Sequence, residues 1–386
     1  MNFSFLRTTV FVAIIFTSTS VDALDGQSKF LVEMQYPLGN AKVFELQSER
    51  AGRKYKILVS LPGSYETSGA DTRYPVLYTV DGQWHFSIAG SVIGGLYYDR
   101  GARESIVVGI TWEGDEDNAN RLRAEDFTPT NTEQVPGSGK ADRYLDFLQF
   151  ELIPYMAENY RSSEDRTLSG SSYGGLLTLY CLFTRPGLFS DYLVSTPAVG
   201  WDEGVIGQYQ KAFSDTDLLS PARLYVARGE MEIAQHRIDR FVDELRAEKY
   251  RNLEIEFDVI KGAGHGGLNP EAFTRGVQFI FKKQRVHIDS KQLTVYAGTY
   301  KGPSGGSDFE VRQVDGGLFS NDSVTNTEAQ WVAVDKNLFF LANAGAEASF
   351  LVNENDEVTH INLKHESGTI KFVRENPDTA AGNIED

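Results

Sequence analysis

Short apolar segments alternate with helix-like segments between residues 42 and 284. Residues 74–80, YPVLYTV, have the length and composition of a strand that is buried on both faces. Similar runs recur at residues 105–111, 191–195, 223–227 and 253–260. Helical spacing of apolar residues separates these runs, for instance over residues 84–98, 173–184, 233–250 and 270–283. This alternation predicts an α/β domain with a mostly parallel sheet covered on both sides.

The chain changes character after residue 284. Short β-type segments follow, broken by turn signals such as Asp315-Gly316-Gly317, and no helical period is evident. We therefore predict an α/β domain over residues 28–284, a small all-β domain over residues 290–375 and a loose tail over residues 376–386.

The first 23 residues have the pattern of a bacterial signal peptide. Arg7 precedes a short apolar run, and Val21-Asp22-Ala23 offers a cleavage site of small residues. An N-terminal anchor or a buried helix is the alternative. Cys181 is the single cysteine, so no internal disulfide can form. These features predict a periplasmic or secreted protein whose mature chain does not insert into a membrane.

The formal net charge is −17, and the Lys and Arg residues are scattered along the chain. Such a field repels phosphate backbones, which argues against a nucleic-acid partner. It also disfavours strongly anionic small molecules unless a local basic pocket overrides it. The charge is equally consistent with a role in solubility alone.

The pattern G-x-S-x-G occurs twice, as GSSYG at residues 170–174 and as GPSGG at residues 302–306. Ser304 lies among turn residues with no helix behind it, which indicates a hairpin loop. Ser172 instead falls where a predicted strand meets a predicted helix. That corner is typical of a nucleophile elbow, in which a tight turn exposes the serine hydroxyl at the sheet edge. Ser172 is therefore the candidate nucleophile.

An elbow serine requires an acid and then a histidine later in the chain. His265 lies in Gly262-Ala263-Gly264-His265-Gly266-Gly267, directly after the last predicted strand of the α/β domain. The preceding strand ends at Gly229, and both Glu230 and Glu232 follow it. Either glutamate fits the role of the acid, and either fits a solvated helix start.

The chain resembles the esterase family of α/β-hydrolases, which includes siderophore esterases, S-formylglutathione hydrolases, feruloyl esterases and mycolyltransferases. The resemblance covers most of residues 42–284. It rests on the following segments, in order: YPVLY with DG at 74–82, VGI at 108–110, Arg123 with DFTP at 126–129, ELIPY at 151–155, RTLSGSSYGG at 166–175, and Phe189 with STP at 195–197.

This resemblance implies an α/β-hydrolase fold and a serine esterase activity. In the family the acid commonly stands three residues after a strand-ending glycine, which selects Glu232. The oxyanion hole is implied to combine the backbone N–H of Tyr173 with that of Gln83 or Trp84. The all-β domain resembles a small domain appended to some serine hydrolases, through YAGTY at 296–300 and FVR at 372–374.

The resulting hypothesis is a Ser172-His265-Glu232 triad that hydrolyses a small-molecule ester through an acyl-enzyme, without a metal or cofactor. Trp84 and Trp201 are the predicted substrate-binding residues, and the segments 112–140 and 201–219 are expected to wall the pocket. Trp84 is equally consistent with simple packing. The sequence leaves two alternatives open, namely an acyltransferase on the same fold and a non-catalytic exported binding protein. It does not predict an oligomeric state.

Overall fold

The computed structural model describes most of the chain between residues 31 and 375. Its described ranges are 31–32, 41–98, 101–112, 119–214, 218, 220–281, 288–303, 306, 308–323, 328–341, 346–365 and 368–375. The predicted signal peptide, the predicted tail and Ser304 lie outside these residues.

A nine-stranded sheet organises the first part of the chain, with the order β1-β2-β3-β5-β4-β6-β7-β8-β9. Strands β1, β2, β3 and β5 pair antiparallel, and every pair from β5-β4 to β8-β9 is parallel. The mostly parallel sheet is thus confirmed. The strands are β1 Leu31–Val32, β2 Ala41–Ser48, β3 Arg53–Ser60, β4 Tyr74–Val80, β5 Ile106–Trp112, β6 Ser162–Ser171, β7 Asp191–Ser195, β8 Ala222–Gly229 and β9 Leu253–Ile260.

Helices pack on both faces of this sheet. Phe86 of α1 and Phe273 of α8 belong to one buried apolar cluster. Tyr144 of α3, Leu176 of α5 and Phe241 of α7 belong to the other. The helices are α1 Gly82–Tyr98, α2 Ala119–Phe127, α3 Ala141–Phe147, α4 Ile153–Asn159, α5 Tyr173–Thr184, α6 Ile206–Ser214, α7 Gln235–Ala247, α8 Asn269–Ile280 and α9 Ser290–Leu293, with a π-helical turn at Leu148–Leu152 between α3 and α4.

Two segments that the sequence pattern assigned to loops contain helices. Residues 112–140 include α2, and residues 201–219 include α6. Helix α2 has no apolar stripe because it buries charged side chains in ion pairs and hydrogen bonds. For example, Asp126 accepts hydrogen bonds from Tyr55 Oη at 2.9 Å and from Trp112 Nε1 at 2.8 Å. Apolar periodicity cannot detect such a helix.

The C-terminal part forms a closed barrel of eight antiparallel strands in sequential order. Strand β17 pairs with β10, so the sheet has no open edge. Trp331, Phe339 and Phe350 fill the interior together with Tyr296 and Tyr300. The predicted all-β character is confirmed. The strands are β10 Gly298–Lys301, β11 Phe309–Val314, β12 Gly317–Asp322, β13 Glu328–Asp335, β14 Leu338–Leu341, β15 Ala346–Val352, β16 Val358–His365 and β17 Gly368–Arg374.

None of the helices within the described ranges is long and apolar enough to cross a membrane.

Asp191, at the start of β7, carries a carboxyl group whose burial has a measurable cost to the stability of the fold. Burial raises the pKa of Asp191 to about 6, although Arg223 and a hydrogen bond from Ser190 oppose the shift. A carboxyl group with a raised pKa in the folded state destabilises the fold once pH exceeds its unfolded value. Asp191→Asn is therefore expected to raise the free energy of unfolding by about 2 kcal/mol at pH 8. The gain should disappear by about pH 4. Urea denaturation at both pH values measures this, and a gain that is equal at both would contradict it.

Candidate active site

Ser172 occupies the turn between β6, which ends at Ser171, and α5, which begins at Tyr173. Its backbone is in a strained conformation with φ 58° and ψ −115°. The Ser172 N–H donates to Ser195 O at 3.0 Å, and the Ser172 carbonyl accepts from Ala198 N–H at 3.0 Å. The neighbouring strand end thus holds the turn in place. This is the local geometry of a nucleophile elbow.

The two glycines of GSSYG are required by close contacts. A Cβ built on Gly170 would lie 2.2 Å from Gly174 O. A Cβ built on Gly174 would lie 2.7 Å from Val80 Cγ2 and 3.3 Å from Asp81 Oδ2. The start of α5 therefore packs directly against the end of β4 and the start of α1.

Gly170→Ala should consequently disrupt the elbow. Its Cβ would collide with backbone atoms that cannot move without breaking the turn, so we expect destabilisation by more than about 3 kcal/mol and loss of esterase activity. Gly94→Ala is the matched control, because Gly94 is an exposed helical position with no atom within 4 Å of the added Cβ. That variant should gain about 1 kcal/mol. Thermal unfolding of both variants measures the contrast, and comparable stability would contradict the steric argument.

The loop between β9 and α8 brings His265 to Glu232. His265 Nδ1 lies 2.8 Å from Glu232 Oε2. The glutamate is buried, with 5% of its side chain exposed, and also accepts hydrogen bonds from Thr196 Oγ1 and from Ile233 N–H at 3.0 Å. Burial acts to raise the pKa of Glu232, but the hydrogen bonds from Thr196 and His265 outweigh it, and the net shift is downward. The carboxylate therefore stays ionised while it holds the imidazole.

Glu230, the other glutamate considered from the sequence, has a different set of contacts. Its Oε2 accepts a hydrogen bond from Gly262 N–H at 2.8 Å, and its side chain is exposed. Glu230 thus supports the loop that leads to His265 and does not contact the imidazole. The geometry favours Glu232 as the partner of His265.

Two backbone N–H groups are available to bind an oxyanion. Tyr173 is the first residue of α5, and Gln83 lies in the first turn of α1. Within the described ranges neither N–H has a hydrogen-bond acceptor, whereas Trp84 N–H donates to Asp81 O at 2.9 Å. The sequence left Gln83 and Trp84 as alternatives for the second donor. Of these two residues, Gln83 has the N–H group that is free to bind an oxyanion. Both groups also lie at helix N-termini, where the helix dipole favours negative charge.

Two cavities meet at His265. The first has a volume of about 450 Å³ and is lined by Ser172 and Trp84 among others. The second has a volume of about 520 Å³ and is lined by Trp201, Tyr173 and Glu232 among others. The two predicted substrate-binding tryptophans thus lie in different cavities.

In the described part of the chain Ser172 Oγ forms no hydrogen bond with the His265 imidazole. Hydrogen bonds at such sites often tighten only when substrate binds.

Arg123 of α2 is a site residue that the triad pattern did not identify. Its Nε donates to Asp81 Oδ1 at 2.8 Å, and Asp81 is fully buried. Its guanidinium carbon lies 5.2 Å from the Trp84 ring centroid and 5.6 Å from that of Tyr173. Arg123 therefore lines the first cavity with a guanidinium that is paired with Asp81 and lies close to both aromatic rings.

His85 also lines the first cavity. Burial lowers the pKa of His85, although the negative charge of Asp81 opposes the shift. Its imidazole is thus neutral at neutral pH, and the cationic character of this cavity comes from Arg123.

The fold and its relatives define a serine hydrolase that acts on carboxylic esters. The chain belongs to the esterase family, whose model, described as "Putative esterase", matches residues 48–311. It is 34% identical over 229 residues to the siderophore triacetylfusarinine C esterase of Aspergillus fumigatus. This match covers 57% of this chain and 78% of that protein. It is 26% identical over 277 residues to the ferri-bacillibactin esterase BesA of Bacillus subtilis, which covers 66% and 93%.

Solved structures show the same fold. The BES protein from Bacillus cereus superimposes with a TM-score of 0.59 at 22% identity and covers 66% of this chain and 99% of that one. The siderophore hydrolase EstB from Aspergillus nidulans superimposes with a TM-score of 0.55 at 26% identity, with the same coverage. The predicted α/β-hydrolase fold and esterase family are thus confirmed.

Proposed function

We propose that this enzyme hydrolyses esters through a triad of Ser172, His265 and Glu232. The observation that carries the proposal is the 2.8 Å contact between His265 Nδ1 and Glu232 Oε2, beside a cavity that both His265 and the strained Ser172 line. Because Nδ1 faces the carboxylate, Nε2 is the ring nitrogen left to exchange a proton with Ser172.

The proposed reaction has two halves. Ser172 Oγ attacks the ester carbonyl carbon while His265 takes the hydroxyl proton, and the oxyanion forms against the N–H groups of Tyr173 and Gln83. The protonated imidazole then donates to the departing alkoxide, which leaves an acyl group on Ser172. Water, deprotonated by His265, releases the acid and restores the serine. Each oxyanion donor contributes about 3 kcal/mol to such a step.

We further propose a siderophore ester as the substrate class. The support is that relatives of this chain carry the names of siderophore esterases. The net charge disfavours strongly anionic substrates, but the Arg123 guanidinium in the first cavity offers N–H donors to electron-rich or anionic substrate groups beside the Trp84 ring, while Asp81 balances its charge. Export through residues 1–23, with the mature chain starting at Leu24, remains part of this proposal.

A partition experiment tests the acyl-enzyme. Phenyl butyrate and 4-nitrophenyl butyrate give the same butyryl-enzyme if Ser172 is acylated. With a fixed concentration of methanol, the ratio of methyl butyrate to butyrate should then be the same for both substrates. A ratio that depends on the leaving group would contradict a common intermediate. If the fraction of methyl butyrate among the products is far larger than the mole fraction of methanol in the solvent, acyl transfer would be favoured as the natural reaction.

A further inference from the structure

The second cavity shares His265 with the Ser172 cavity, and the mechanism above does not assign a part of the substrate to it. It is bounded by the 196–201 loop and by the start of α7, and it includes Glu232 and His265 but not Ser172. His265 is the group that protonates the departing alkoxide. This cavity shares the imidazole and Tyr173 with the catalytic site, but not Ser172 or the first turn of α1. It is therefore suited to hold the alcohol part of the ester.

Two charged side chains line this cavity, the Glu232 carboxylate and the Arg237 guanidinium. Arg237 is exposed, and in the described part of the chain its guanidinium forms no ion pair. Asp239, two residues later on α7, is already engaged, since its carboxylate accepts from Arg228 at 2.6 and 2.8 Å. The Glu232 carboxylate is buried and satisfied by its own hydrogen bonds. Arg237 is thus a cation on the cavity wall that has no ion-pair partner among the described residues.

Arg237 is an exposed residue whose guanidinium lies beside Gly200. A Cβ built on Gly200 would lie 2.5 Å from Arg237 Nη1, so the glycine leaves room for the guanidinium at the cavity wall. An arginine fork matches the geometry of a carboxylate.

The charges on the neighbouring surface limit how many acidic groups the ligand can carry. Arg237 also borders a third cavity, and Glu203 and Glu244 line that cavity together with Arg240. The carboxylates there disfavour an extended polyanion, so a single acidic group next to the ester is the better match.

We propose that the second cavity is the leaving-group subsite and that Arg237 selects esters whose alcohol carries a carboxylate. The inference rests on the proposed Ser172 mechanism. Arg237 is a specificity-determining residue and takes no part in bond breaking.

The test compares two butyryl esters that differ only in the charge of the alcohol, those of 4-hydroxybutanoic acid and of 4-hydroxybutanamide. Wild-type enzyme should prefer the acid. Arg237→Gln should lower kcat/KM for the acid ester about 10-fold and for the amide ester less than 2-fold. Arg240→Gln is the matched control, since it removes the same charge from the same helix but does not line the second cavity. It should affect both esters less than 2-fold.

A second pair of esters checks which cavity holds the acyl group and which holds the alcohol. Monoethyl succinate and ethyl succinamate carry the same charge difference on the acyl side, and Arg237→Gln should leave their ratio unchanged. The inference is overturned if wild-type enzyme does not distinguish the first pair, if both variants have equal effects, or if the acyl-side pair responds. Failure of the proposed mechanism looks different, because then either the wild-type enzyme would not hydrolyse 4-nitrophenyl butyrate or Ser172→Ala would still hydrolyse it.

Discussion

Ser172→Ala is expected to lower kcat for ester hydrolysis by about 10⁵-fold, because it removes the hydroxyl group that is proposed to form the acyl-enzyme. The fold should remain intact, since the backbone hydrogen bonds of residue 172 to Ser195 and Ala198 do not involve the side chain. Steady-state hydrolysis of 4-nitrophenyl butyrate measures the loss. Ser163→Ala, at a half-buried position near the start of β6, is the control and should retain wild-type activity.

The strained backbone at Ser172 also predicts a difference in stability between two variants of this residue. A non-glycine residue at φ 58° carries a conformational cost, so Ser172→Gly should be inactive and about 1 kcal/mol more stable than Ser172→Ala. Urea denaturation of the two variants gives the difference. A residual activity above about 1% of wild type in either variant would mean that another residue is the nucleophile.

Glu232→Gln is expected to lower kcat about 10³-fold, whereas Glu230→Gln should change it less than 3-fold. The amide removes the negative charge that stabilises the imidazolium, and its NH₂ group can face Nδ1 and impose the wrong tautomer. Glu230 contacts the backbone of Gly262 and is separated from the ring, so its amide keeps an oxygen acceptor for that bond.

These two glutamate variants form a matched pair, because each replaces one carboxylate after the same strand. Both should be compared at the same pH with the same ester, with circular dichroism as a check on folding. A larger loss in Glu230→Gln would reverse the assignment of the acid. Equal and small losses would show that the site works as a Ser-His pair.

The elbow could be predicted because its constraints are local. A strand of buried residues, two glycines and a following helix are consecutive in the chain, and they placed Ser172 at the sheet edge. The order of the triad then led to His265. The choice of Glu232 over Glu230 came from family resemblance, since two carboxylates two residues apart have the same local signals. Only the fold shows which of them reaches the imidazole.

The missed features depend on contacts between distant residues. Arg123 was quoted as part of a family motif but not as a site residue, because its position depends on Asp81, 42 residues away, and on the rings of Trp84 and Tyr173. Helix α2 escaped detection because it buries charges in pairs. The closure of the barrel through β17 and β10 is likewise a long-range pairing that turn signals do not encode.

A covalent probe of serine hydrolases shows whether His265 activates Ser172 as a nucleophile. The purified protein would be treated with a fluorophosphonate, and the adduct would be mapped by peptide mass spectrometry. We expect one adduct, on Ser172, that forms far more slowly in His265→Ala. No adduct under conditions that label a control esterase, or an adduct on another residue, would contradict it.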